Sequence, residues 1–403
     1  MTGTKPSGRK TKQKGSSEMR RVAIVSAVRT GIGKYGGQWV RTPSEQLAAA
    51  VIKEAVARAG VDPAEIEDVV MGNLHAHHGN HARIASLTAG LPLEAGAVTV
   101  DRQCGSGSQA IIYAALNIAA GYGDVMVACG VEHMTLNPYQ VTKVPNYSYA
   151  PPQFLTNRVS TDEAGNPPFA MTADILGKRL GITRQACDEW AYFSQQRAAR
   201  AISEGLFKEQ IVPVEVKTRA GVKSIATDEC VRMDASLEKM TQLPPLFEGG
   251  LTTAGNACPR SDGAAAVVLM SEERAKSLGL EPLGYFKTFA AAGLDPNIMG
   301  YGPVPSTRKA LQRAGLTVKD LDVVELNEAF APQVVPCVRD LGLDPERTNP
   351  NGGAIAFGHP LGGTGVILTV KLLYEMLRRD YELGLVTMCI GGGQGLATIF
   401  ERR

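Results

Sequence analysis

The sequence contains no apolar run long enough to span a bilayer, which sets aside the membrane-spanning classes. It has almost no net charge: 42 basic against 40 acidic residues leave a formal +2, too weak a field to argue for nucleic acid or an acidic surface as partner. It also lacks paired cysteine spacing. The seven cysteines are odd in number and scattered without disulfide-like or zinc-like intervals, which points to reduced thiols and a cytoplasmic protein. No hydrophobic signal core stands near the start. Met1 to Arg21 carries seven Lys or Arg against the single acid Glu18, and it lacks the apolar face of a transit presequence, so residues 1–20 read as a disordered basic tail.

What is present is an ordinary soluble composition, 44% hydrophobic and 20% charged, in 403 residues, enough for two or three packed units. Val22-Ala23-Ile24-Val25 reads as a buried strand, followed by the glycine-rich loop Gly31 to Gly37. That loop is set aside as a dinucleotide fingerprint because the next helix starts later, at Thr42-Pro43-Ser44-Glu45. There Thr42 is the expected cap, Pro43 the first helical residue and Glu45 the partner of a capping box. Leu47, Val51 and Ala55 give this helix its buried stripe, and Gly60 stops it.

An internal repeat organises the rest. Arg58-Ala59-Gly60 followed by Asp68-Val69-Val70 reappears as Arg313-Ala314-Gly315 followed by Asp322-Val323-Val324. A similar separation carries Cys104 onto Gly358-His359, and the strand Asp124 to Cys129 onto Leu383 to Cys389. Three correspondences in one order argue for duplication of an α/β half. The expected division is an N-terminal half over 21–139 and 250–275, an inserted loop region over 140–249 punctuated by paired prolines, and a C-terminal half over 276–403. Within the insertion, Thr183 to Gly205 reads as a helix with Trp190, Phe193, Arg197 and Ala201 along one side and Cys187 as a plain buried thiol.

Four segments carry chemistry. Val98 to Gln103 is strand-like, and Cys104-Gly105-Ser106-Gly107-Ser108 turns it into a helix expected over Gln109 to Ala120. A cysteine there faces the positive end of a helix dipole, which is expected to lower its pKa; alone, the segment fits a small residue in a tight turn equally well. His359, fixed between Gly358 and Pro360 in a loop too rich in glycine to pack as a core, reads as a positioned base. Cys389 stands at a strand end before Gly391-Gly392-Gly393, whose bare N–H groups suit an oxyanion hole. Glu325-Leu326-Asn327-Glu328-Ala329-Phe330-Ala331 puts an amide and a carboxylate at a strand-to-helix junction.

Together these segments resemble the thiolase family from Arg21 to the C-terminus. The resemblance implies a duplicated five-layer α/β/α/β/α fold with an inserted loop domain. It implies thiolytic cleavage of 3-ketoacyl-CoA or the reverse Claisen condensation, with coenzyme A as co-substrate, no resident cofactor or metal, and a homodimer or homotetramer. Cys104 would be acylated, His359 would activate it, and Cys389 would be the second acid/base. Asn327 would hold a water that, with Nε2 of His359, binds the enolate-side oxygen, while the N–H groups of Cys104 and Gly391 form the second oxyanion hole. Cys258, Met171 and Phe330 would line the CoA and acyl path.

Some positions depart from the family pattern. Gly105 stands where Ala or Ser is usual, Asp101 where Asn is frequent, Phe169 where Met is common, and Cys258 in place of a CoA-contacting Ser. The crowding of His75, His77, His78 and His81 invites a metal site, but the loop matches a family segment and the reaction calls for no metal, so a polar loop near a subunit contact is expected. Two rivals are weighed. A ketosynthase-type condensing enzyme would lack Cys389 with its glycines and the Asn327-Glu328 pair; a non-catalytic acyl-CoA binder would have no use for Cys104, His359 and Cys389 together.

Overall fold

The computed structural model describes residues 19–76, 79–143, 151–155, 158–218 and 221–403. The chain runs β1 (Val22–Arg29), β2 (Gly33–Lys34), α1 (Ser44–Ala59), β3 (Asp68–Gly72), α2 (His81–Thr88), β4 (Gly96–Val100), α3 (Ser106–Ala119) and β5 (Val125–His133). The insertion adds α4 (Phe169–Arg179), α5 (Arg184–Ser203), β6 (Val214–Thr218), β7 (Gly221–Ile225) and α6 (Leu237–Thr241). The first half then closes with β8 (Ser261–Ser271) and α7 (Glu272–Ser277). The second half comprises β9 (Gly284–Gly293), α8 (Pro303–Ala314), β10 (Val323–Leu326), α9 (Ala331–Leu341), α10 (Ala354–Phe357), α11 (Leu361–Arg379), β11 (Leu383–Ile390) and β12 (Gln394–Glu401).

The strands order as β10-β11-β12-β9-β1-β8-β5-β3-β4. Among the described residues the two halves of this sheet meet where Val22 to Ile24 pairs with Gly284 to Phe286. β3 is parallel to β4 and β5, as β10 is to β11, and the other ladders along this order are antiparallel. Helices α1 and α2 cover the outside of the first half, α8 and α9 belong to the second, and α3 and α11 lie between the halves. This is the expected five-layer, duplicated arrangement.

Strands β1, β5 and β8 are buried along their whole length because both faces are covered. In β8, Ala265, Val267 and Leu269 enter the central core with α3 and α11, while Ala264, Ala266, Val268 and Met270 enter the outer core under α1. In β1 the parity flips after Ile24, where a register shift lets Ala27 face inward like Ile24.

The repeat shows in detail. Gly60 and Gly315 end α1 and α8 in the left-handed region, at φ 64° and 67°. Each is followed by a single 3₁₀ turn, Pro63–Glu65 or Val318–Asp320, and then by a strand. The counterpart of β4 in the second half shrinks to one bridge, Thr348 to Val324.

Three local expectations are corrected. Helix α1 is capped by Pro43, with no side-chain cap bond, because Thr42 instead closes a turn onto the Trp39 carbonyl at 2.8 Å. Helix α3 begins at Ser106, three residues before Gln109. Helix α5 buries Cys187, Asp188, Ala191, Ser194, Gln195, Ala198 and Ala201, while Phe193 is 51% exposed, so its inner face lies one position round from the expected one. The basic tail lies outside the described residues up to 18. Arg20 is already anchored, its guanidinium 2.7 Å from Asp124 and hydrogen-bonded to the Ile118 and Gly123 carbonyls.

Candidate active site

The catalytic candidates are set by two helices that cross at their first turns. A side chain at Gly107 of α3 would meet the Gly362 carbonyl and the Val366 and Gly365 nitrogens of α11 at 2.8–3.2 Å. One at Gly365 would meet the Ser108 nitrogen. Only glycine on both helices permits this backbone approach. Cys104 precedes α3 and His359 precedes α11, so the crossing brings their segments together.

The turn carrying Cys104 is built tightly. Ser106 Oγ donates to the Gln103 carbonyl at 2.7 Å and accepts from Arg102 N at 2.8 Å, while Asp101 Oδ1 accepts from Gln103 N at 2.6 Å. Gln103 takes φ 47°, a left-handed conformation unusual for a side-chain-bearing residue, immediately before the nucleophile candidate. Cys104 itself is 8% exposed. Burial pushes its thiol up to about 11, against the pull of the Gly391 and Cys104 N–H groups directed at the sulfur. The shift runs opposite to the lowered pKa expected at the helix start, because desolvation outweighs the two N–H groups. Burial likewise raises the thiols of Cys187, Cys230, Cys258 and Cys337.

His359 is buried, and burial alone holds its imidazole down to about 4. Its Nδ1 lies 2.6 Å from Thr364 Oγ1, and that hydroxyl donates to the Pro360 carbonyl at 3.0 Å. With its hydrogen spent on Pro360, Thr364 accepts from Nδ1–H, which leaves the lone pair on Nε2. Asn327 Nδ2 reaches that Nε2 at 3.3 Å. Thr364, on α11's first turn next to the His359 motif, is a functional candidate the sequence reading passed over.

Cys389 is buried near the end of β11, and burial, with Cys104, Cys337 and Cys258 nearby, raises its thiol well above the ordinary value. Ile390 pairs with Gln394, so Gly391-Gly392-Gly393 is the hairpin loop of β11 and β12, with Gly392 and Gly393 at φ 83° and 80°. Cys258 N donates to the Ala329 carbonyl at 3.1 Å and Ala257 bridges Phe330, which sets Cys258 beside Phe330. Met171 lies on α4, which packs against α9.

Of the four histidines, the two described ones turn to different partners. His75 turns to Glu132 at 3.4 Å, whereas His81 is a buried residue of α2 with Nε2 3.1 Å from Ser44 Oγ, not part of a polar loop. His77 and His78 lie outside the described residues. Among the described residues no group of three or more His, Cys, Asp or Glu is placed to hold a metal ion, and no helix is long and apolar enough to cross a membrane.

The same arrangement recurs in known proteins. Residues 22–273 match the N-terminal domain of thiolases and residues 280–402 the C-terminal domain. The chain is 44% identical to an acetyl-CoA acetyltransferase of Cupriavidus necator over 96% of its own length and 100% of that protein. It is also 44% identical to a 3-ketoacyl-CoA thiolase of Aeromonas hydrophila, over 95% of its length and 100% of the relative. The crystal structure of human mitochondrial 3-ketoacyl-CoA thiolase in complex with CoA superposes with a TM-score of 0.90 at 38% identity, covering 95% of this chain and 98% of that one. Matched in both halves, at this identity and over nearly its whole length, the chain belongs to the thiolase family of acyltransferases.

Proposed function

We propose that in this thiolase's CoA-dependent cleavage of 3-ketoacyl-CoA, and in the reverse condensation, Cys104 is the acylated nucleophile, His359 its base and Cys389 the acid/base at the α-carbon. One observation carries the reading: Cys104 and His359 head two touching helices, with Gly391 N–H directed at the sulfur and the Asn327 amide on Nε2.

The resting pair is neutral, with the proton on sulfur, because burial raises Cys104 to about 11 and lowers His359 to about 4. As sulfur attacks the keto carbon, its proton passes to Nε2, and the new oxyanion takes over the N–H groups of Cys104 and Gly391. Each such donor lowers a barrier of this kind by about 3 kcal/mol. The bond between α- and β-carbons then breaks, and its electron pair moves onto the acetyl-CoA enolate, beside Asn327 and the protonated His359. Cys389 supplies the proton that converts the enolate to acetyl-CoA. Its thiolate takes a proton from CoA, the CoA sulfur attacks the Cys104 thioester, and release of the shortened acyl-CoA lets His359 return its proton to Cys104.

Cys258, Met171 and Phe330 are assigned to the CoA and acyl path. The division into an N-terminal half over 21–139 and 250–275, an insertion over 140–249 and a C-terminal half over 276–403 follows the repeat. Seven free thiols support a cytoplasmic setting. Among the described strands β4 pairs only with β3, and its Val98 is 42% exposed, an open edge that supports a homodimer or homotetramer. The deciding measurement is CoA-dependent loss of enolate absorbance for 3-ketoacyl-CoAs of increasing length. No turnover at any length sinks the reading.

A further inference from the structure

The carboxylate of Glu328, next in sequence to Asn327, is 1% exposed and accepts from four donors. Oε1 takes the Trp190 indole N–H at 3.0 Å and the Asn349 amide at 2.8 Å. Oε2 takes the Ser194 hydroxyl at 2.6 Å and Ile355 N–H at 3.2 Å. None of the four is a cation, so the group is satisfied wholly by placed neutral dipoles, an arrangement that fixes geometry more than it adds stability.

Two of the donors, Ile355 and Asn349, belong to segments next to the catalytic candidates, and the other two, Trp190 and Ser194, belong to α5. Ile355 is in α10, which leads through Gly358 to His359. Ser194 Oγ also accepts Gly353 N–H at 3.0 Å, holding the start of the same turn. Asn349 clamps the strand before Asn327: its Oδ1 accepts from Leu326 N and its Nδ2 donates to the Leu326 carbonyl, both at 2.8 Å. Asn349 does so at φ 48°, one of three side-chain-bearing residues with positive φ among the described residues; another, Gln103, precedes Cys104. Such strain persists only where the surroundings hold it in place. Contacts therefore close a ring: Glu328 to Asn327 by the chain, Asn327 to His359 at 3.3 Å, His359 back along the chain to Ile355, and Ile355 to Glu328.

We propose that Glu328 is the positioning residue of the catalytic base, and that through Trp190 and Ser194 it makes the position of Asn327 and His359 depend on helix α5 of the insertion. The proposal rests on the assignment of His359 as the base of Cys104. Glu328 touches no reacting atom; it sets the distance over which the proton moves, and a misplacement of about 1 Å in such a pair costs on the order of a hundredfold in rate.

The test uses full-length Ser194→Ala, Trp190→Phe and Glu328→Gln variants beside the wild type. Measured are kcat and KM for thiolysis of acetoacetyl-CoA, the pH profile of Cys104 alkylation by iodoacetamide, and the melting temperature. Expected are a fall in kcat of about tenfold for Ser194→Ala and Trp190→Phe, and about a hundredfold or more for Glu328→Gln. KM should stay within about twofold, with slower Cys104 alkylation at neutral pH in the same order. If Glu328→Gln fails to fold, the two donor variants decide. Wild-type kcat and an unshifted alkylation profile in folded Ser194→Ala and Trp190→Phe overturn the proposal, as does a loss confined to melting temperature. Acetylation of wild-type Cys104 by acetyl-CoA tests the underlying assignment separately. If it occurs and the variants match the wild type, only the positioning role is lost.

Discussion

Asn327 places its amide nitrogen 3.3 Å from Nε2 of His359, while its buried Oδ1 has no hydrogen-bond partner among the described residues. A buried carbonyl oxygen beside the base calls for a donor, and the water assigned to Asn327 would supply one. Asn327→Asp should slow condensation and thiolysis by about a hundredfold, because a carboxylate there repels the developing enolate. Near-normal turnover would remove Asn327 from the mechanism.

The imidazole of His359 makes the fold acid-sensitive. Its folded pKa of about 4 lies below the ordinary 6.5, so the unfolded chain binds the proton more readily. Stability from this group is therefore full above pH 6.5 and is lost as pH falls toward 4, by about 3 kcal/mol in all. His359→Gln should flatten the dependence of denaturation midpoint on pH across that window. An unchanged slope would show that the imidazole titrates normally.

Thr364 should matter through its oxygen. Thr364→Val removes the acceptor of Nδ1–H and should lower kcat by about tenfold or more, whereas Thr364→Ser keeps it and should stay near wild type. Equal activity in the two variants would assign Thr364 to packing alone.

The two cysteines separate by step. Cys389→Ser should still carry an acetyl mass on the Cys104 peptide after exposure to acetyl-CoA, with turnover down by about a hundredfold to ten-thousandfold, as for loss of a matched acid/base. Cys104→Ser should lose the adduct. Normal turnover of acetoacetyl-CoA by Cys389→Ser would make Cys389 a packed thiol.

Phe169 closes the space beside Gly391: its ring carbons lie 3.1 and 3.3 Å from where a side chain on Gly391 would begin. Phe169→Ala should raise kcat/KM for 3-ketohexanoyl-CoA relative to acetoacetyl-CoA by about tenfold or more, the scale of one methylene in an apolar pocket being about tenfold at least. A constant ratio across chain lengths would show that the acyl group leaves in another direction.

The sequence made some of this plain for physical reasons. Gly60 and Gly315 are visible because a left-handed helix end demands glycine, and the motifs around His359 and Gly391 because close backbone approach and a tight hairpin do. Trp190, Ser194 and Glu328 were not legible as a group. Their contacts span more than a hundred positions, and nothing local in α5 says which face meets a carboxylate. The direction of the Cys104 shift was misjudged for a related reason: the dipole is local and readable, whereas burial by the second half of the chain is not.

The repeat gives Cys104 and His359 the same address in the two halves, each just before the middle-layer helix of its copy. A symmetric pair of identical halves meeting at that crossing would present two thiols or two imidazoles, never one of each. In the single chain the two addresses differ, one holding a thiol and the other an imidazole. The catalytic pair is in this sense a broken symmetry of the fold.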